Sequence, residues 1–197
     1  MPEQENRTRR GLDEAMRILL ARKPLDQLRV RELTELSGLR RQSFYYHFKD
    51  IYDLFAWSVR RERTLLLERQ GECLTWEEAV ADLLARMEEE RPFYTALLDS
   101  RGRAGLREAL PLADMLERTQ AYYRERCGTP PDPEGEPARI RCWETILLSL
   151  LEGWIRGDLE VEPRAVLEVL RSAAEQHAAG AVWQTLRARG CGGDMLG

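Results

Sequence analysis

Lysine is almost missing from this chain. Of 30 basic residues only Lys23 and Lys49 are lysines, so nearly all the positive charge is arginine. There are two histidines, His47 and His177, which leaves little material for a histidine-based acid–base scheme. The four cysteines (Cys73, Cys127, Cys142, Cys191) lie far apart, with no CxxC or HxxxH spacing, so neither a zinc site nor a disulfide framework is signalled. No apolar run approaches the ~18 residues of a membrane span. The start, Met1-Pro2-Glu3-Gln4-Glu5-Asn6-Arg7, is polar and unlike a signal peptide. The sequence also lacks GxSxG, GxGxxG, HExxH and a Walker loop. Acidic runs such as Glu77-Glu78 and Glu88-Glu89-Glu90 point in different directions on a helix and read as solvated faces. The expectation is a cytoplasmic protein that is not an enzyme and carries no cofactor or metal.

What is present is a chain of 197 residues, 43% hydrophobic and 32% charged, enough for one large domain or two small ones with a real core. Its net charge of −4 is unevenly spread. Residues 1–49 hold eleven basic side chains against seven acidic ones, and the acidic remainder outweighs them. A basic head on an acidic body is the pattern of a nucleic-acid-binding segment.

Glycine and proline cut the chain into helix-length blocks. Residues 8–22 place Leu12, Ala15, Met16, Leu19 and Leu20 on one face. Short helices follow over 30–37 and 40–48, with Gly38 between them, and a longer one runs from Ile51 to about Arg69 with Leu54, Phe55, Ser58 and Val59 on one face. Further helices are expected near 75–90, 93–98, 106–127, 138–156 and 163–187. Four prolines mark 128–137 as a loop, and residues 191–197 read as a frayed tail. No alternating strand pattern competes, so the expected fold class is all-α.

Residues 29–50 carry the functional signal. Two short helices joined at a glycine fit a helix-turn-helix, whose second helix enters the DNA major groove. Leu33, Leu36, Leu39, Phe44 and Phe48 are suited to lock the helices together. That turns Arg29, Arg31, Arg40, Arg41, Gln42, Ser43, Tyr45, Tyr46, His47 and Lys49 toward DNA. Arginine and glutamine match guanine and adenine edges, while hydroxyls, histidine and lysine suit phosphates.

Here the sequence resembles the TetR family of bacterial transcriptional regulators. The likeness rests on Val30-Arg31-Glu32-Leu33, Ser37-Gly38-Leu39, Phe44-Tyr45-Tyr46-His47-Phe48-Lys49-Asp50 and Ile51-Tyr52-Asp53-Leu54, and covers about residues 8–60. It implies a three-helix DNA-binding head over residues 1–50 and a helical ligand-binding and dimerisation bundle over 51–190. It also implies phosphate contacts from Tyr45, His47 and Lys49. Arg29 and Arg40 stand where the family favours serine or threonine caps, which gives two arginines in place of two cap oxygens. The run Arg40-Arg41-Gln42-Ser43-Phe44-Tyr45 is similar to the branch of dihydroxyacetone-kinase regulators, whose body can bind a kinase-like protein.

In the body, Trp76, Met87, Phe93, Tyr94, Tyr122, Tyr123, Trp143 and Trp154 are candidates to line an effector pocket. Leu147 and Leu151, with Leu170, Ala174, His177, Ala178 and Ala181 on an alanine-rich last helix, are candidates for a dimer seam. The sequence thus predicts a homodimeric regulator, a repressor by the family's usual mode, that binds a palindromic double-stranded operator and is released by a small-molecule effector. The alternative is an adaptor or co-activator whose body binds a protein partner.

Overall fold

Helices follow wherever apolar residues recur at three- and four-residue spacing without an interior proline. The computed structural model describes residues 2–72, 76–127, 135–159, 165, 166, 168 and 172; the side chains of 2–5, 70–72, 76, 77, 119, 120, 122–124, 126 and 127 are outside that description. In chain order the helices are α1 (Pro2–Leu20), α2 (Val30–Ser37), α3 (Arg41–His47), α4 (Ile51–Glu72), α5 (Trp76–Glu89), α6 (Arg91–Ala109), α7 (Leu112–Cys127) and α8 (Gly135–Arg156), with a 3₁₀ turn at Leu25–Gln27. Among the described residues there is no strand, so the fold is all-α.

Boundaries shift where local chemistry allows. α1 begins six residues earlier than expected, at Pro2, which is tolerated in a first turn because its missing N–H has no helical acceptor there. The same logic lets α8 start at Gly135 with Pro137 in its first turn, so the loop expected to run to 137 ends sooner. The two short helices expected over 93–98 and from 106 are one element, α6, kinked at Gly102 (φ 59, ψ −156), and the true break falls at Leu110-Pro111. Of the last expected helix, 163–187, residues 165, 166, 168 and 172 are helical and the others lie outside the described residues.

The helices gather into two compact units, 2–72 with 85–110, and 76–84 with 111–159. In the first unit α1 packs on α2, α3, α4 and α6, and α4 packs on α6. The expected apolar face of α1 is buried throughout, and Leu54, Phe55, Ser58 and Val59 of α4 are buried as their spacing predicts. In the second unit α7 packs against α8, which buries Ile140, Leu147, Leu148, Leu151, Trp154 and Ile155. Leu36 departs from expectation: at the edge of the stripe that buries Leu33 and Thr34, it is 46% exposed and takes no part in the lock.

No helix among the described residues is long and apolar enough to cross a membrane, and these residues hold no His/Cys/Asp/Glu group arranged for a metal ion.

Candidate nucleic-acid interface

The helix-turn-helix is set by two kinds of cap. Gly38 takes the left-handed conformation (φ 68) at the end of α2, and the Gly38 and Leu39 N–H groups donate to the carbonyls of Glu35 and Thr34 at 3.4 and 3.0 Å. This is a Schellman turn, which needs a residue without a Cβ penalty. At the start of α2 Arg29 offers no oxygen, and Glu32 supplies the cap from inside the helix by accepting the Arg29 N–H at 3.0 Å. Lys23 binds the same carboxylate at 2.6 Å, and its hydrogen bond holds Glu32 below the usual carboxylate range. The end of α1 is thereby tied to the start of α2.

Behind α3 an aromatic seam holds it in place. Phe44 is fully buried, with the Phe48 ring 6.0 Å away, and Phe48 meets Trp57 of α4 at 5.9 Å. The other side of α3 faces solvent. Arg40, Arg41 and Gln42 are exposed, as is Tyr45, while Ser43 and His47 are half-buried. Tyr46 is 78% exposed. An aromatic so placed contributes nothing to the core.

The candidate cations differ in what already occupies them. Arg31 is paired with Glu35 one turn on, at 2.6 Å. The Arg29 guanidinium turns back onto the carbonyls of Asp26 and Leu28 at 3.3 and 3.2 Å. Among the described residues Arg40, Arg41 and Lys49 make no ion pair, and Arg41 lies along Tyr45, its guanidinium carbon 5.8 Å from the ring centroid. Arg29, Arg31, Arg41, Tyr45 and Lys49 line one open cleft of about 540 Å³ between the 3₁₀ turn, α3 and the start of α4. The sequence reading assigned no role to Tyr52, which also lines this cleft and is 56% exposed. An aromatic at the second position of a helix was the available signal. Asp50 caps α4 by accepting the Asp53 N–H at 2.8 Å, and Asp53 accepts the Lys49 N–H at 3.0 Å. Two carboxylates therefore stand beside Lys49.

The residues proposed for an effector pocket are placed differently. Met87, Phe93 and Tyr94 are buried in the first unit, with Phe93 against Phe55 at 5.4 Å and the Tyr94 hydroxyl donating to Glu62 at 2.9 Å. Trp154 is buried and Trp143 half-buried in the second unit. The side chains of Trp76, Tyr122 and Tyr123 lie outside those described. Of the dimer candidates, Leu147 and Leu151 are already buried within the chain, and Ile146 beside them is 53% exposed. Leu170, Ala174, His177, Ala178 and Ala181 lie outside the described residues.

One cluster has no counterpart in the sequence reading. Glu62 of α4 and Asp13 of α1 are fully buried carboxylates. Glu62 is gripped by Arg17 at 2.8 Å and by both arms of Arg86 at 3.0 and 3.2 Å; Asp13 binds Arg61 at 2.5 Å and Arg17 at 3.3 Å. Burial pushes the Glu62 carboxyl up, but the hydrogen bonds from Arg86 and the charges of Arg17 and Arg86 outweigh it and hold the group below the usual carboxylate range. Burial, with the Glu62 charge beside it, pushes the Tyr94 phenol well above its ordinary value.

No protein-family profile and no curated protein matches the sequence. Solved structures do match the fold. A dihydroxyacetone kinase operon activator, DhaS, superposes with a TM-score of 0.70 at 18% identity, over 90% of this chain and 97% of that one. A TetR-family transcriptional regulator from Streptomyces coelicolor gives 0.63 at 14% identity, over 92% and 89%. A TerR/AcrR-family transcriptional regulator from Aquifex aeolicus VF5 gives 0.57 at 19% identity, over 86% and 98%. At these identities the likeness is one of fold: the chain has the all-α architecture of TetR-type regulators.

Proposed function

We propose that this chain is a TetR-type transcriptional regulator. It binds a palindromic DNA operator as a cytoplasmic homodimer through a head at residues 1–50, performs no catalysis, and is controlled by its helical body over 51–190. The observation that carries this reading is α3. A short helix fixed from behind by Phe44, Phe48 and Trp57 presents Arg40, Arg41, Gln42 and Tyr46 to solvent next to a cleft containing Lys49. Arg41 and Gln42 carry the forked groups that read base edges; Lys49, Tyr45 and His47 take phosphates, with Arg29, Arg31, Arg40 and Ser43 flanking them.

Repression with release by a small-molecule effector is the mode we assign. Activation through a protein partner is the second reading, favoured by the likeness to a kinase operon activator. The experiment is retention of the full-length protein on duplex DNA over a salt series, with selection of a preferred site from a random pool. A palindromic site whose affinity falls steeply with salt supports the regulator. Salt-independent or absent retention overturns it. Native mass spectrometry separates the two modes by showing a bound small molecule or a stoichiometric protein.

A further inference from the structure

We propose that the buried ion cluster around Glu62 is the joint that fixes the recognition helix, and that Glu62 and Arg86 are positioning residues for operator binding. This rests on the regulator reading above.

Three acids and three arginines meet in the first unit: Asp13 and Arg17 on α1, Arg61 and Glu62 on α4, Arg86 on α5, and Glu90 just before α6. Arg17 reaches Glu62 at 2.8 Å and Glu90 at 3.1 Å, and its guanidinium carbon lies 4.1 Å above the centre of the Phe93 ring on α6. Arg86 holds Glu62 with two nitrogens and Glu90 with a third at 3.2 Å. Tyr94 closes the remaining side of Glu62.

Stability alone does not call for such a cluster, because well-packed apolar residues of similar volume do as well or better in a buried position. Forked, directional contacts accomplish something apolar packing does not: they admit one register and penalise neighbouring ones. The register at stake is that of α1, which packs on both α2 and α3. The other support of α3 is α4, through Phe48 and Trp57. Both supports are fastened to each other at Glu62, so the orientation of Arg41 and Gln42 is inherited from this cluster. Arg86 is its one member on α5, a helix whose residues 76–84 group with the second unit and 85–89 with the first.

The test compares Glu62→Gln and Arg86→Lys with the unaltered protein, using hydrogen exchange of the free protein and binding to its selected site and to random duplex. Arg86→Lys keeps the charge and loses the fork, so it serves should Glu62→Gln fail to fold. We expect amide exchange over residues 30–47 to rise about tenfold or more in either variant, as a local opening. Affinity for the selected site should fall about tenfold, the discrimination of one base pair, while random-duplex affinity and its salt slope change less than twofold. Unchanged exchange over 30–47 in the folded variants, or equal loss on both duplexes, overturns the joint. Should the unaltered protein fail to bind DNA at all, the regulator reading falls, and the exchange arm still decides whether the cluster holds the head.

Discussion

Lys49 and Arg41 share a cleft but should fail differently when removed. If Lys49 grips a phosphate as proposed, Lys49→Ala should weaken binding on every sequence alike and lower the slope of log K against log salt by about 0.9. Arg41→Ala or Gln42→Ala should cost about 1–3 kcal/mol on the selected site and relax preference at one base pair. A salt series on both duplexes measures each; equal losses on the two duplexes would remove Arg41 and Gln42 from the base-reading set. Inside the first unit, Glu62→Ala leaves two arginines facing an empty buried site and should cost about 3–5 kcal/mol in denaturant unfolding. The pH dependence has a definite direction. Glu62 titrates lower in the folded chain than in the unfolded one, so its contribution is complete above the ordinary glutamate value and is lost as pH falls through the lower folded value. Glu62→Gln should flatten the acid limb of stability against pH. Tyr94 acts at the other end: its raised value keeps its contribution intact below the ordinary tyrosine range and loses it at higher pH.

At the scale of single helices, glycines separate strain from entropy. Gly102 sits at φ 59, ψ −156, a region essentially closed to other residues, so Gly102→Ala should cost about 1–3 kcal/mol although a Cβ there meets nothing within 4 Å. Gly11 lies within α1 with equally open surroundings and ordinary helical backbone, so Gly11→Ala should stabilise by about 0.5–1 kcal/mol. Thermal melts of the two variants should move in opposite directions. Elements were the part of this molecule most readable from sequence. Leu12, Ala15, Met16 and Leu19 announce α1, and Gly38 between two short apolar periods announces the turn between α2 and α3. The solvent side of α3 was legible for the same reason, since burying Phe44 and Phe48 leaves Arg41, Gln42 and Tyr46 no inward direction. The ion cluster was not. Asp13 falls inside the apolar face of α1, and its partner Arg61 lies on a different helix, as does Glu62, the partner of Arg17; only stacking α1 on α4 brings them together. Local periodicity carries no information about that pairing. Likewise, spacing could not separate Phe93 and Tyr94, which are enclosed core, from residues lining a pocket.

For the whole molecule, the expected assembly is a dimer through residues 138–187. Replacing Ala174 or Ala178 with a bulky charged residue should break it by overpacking the seam and burying an unpaired charge. Light scattering at micromolar concentration reads the outcome, and a monomeric unaltered protein would remove the dimer altogether. A two-fold dimer should protect two half-sites about one helical turn apart or slightly more, roughly 34–36 Å in simple cases, which footprinting measures.

The acid-capped start of α4 has a consequence for how such a protein spends its time in a genome. Most encounters are with the wrong DNA, and a head lined only with cations would linger at each of them. On the regulator reading, a phosphate that approaches Lys49 would also meet the charges of Asp50 and Asp53, whose carboxylates accept the N–H groups of Asp53 and Lys49. On that reading the two acids would brake indiscriminate grip, shortening each wrong stop so that the search moves on. Asp53→Asn should lengthen those stops, seen as slower dissociation from random duplex, at the expense of the time taken to find the right one.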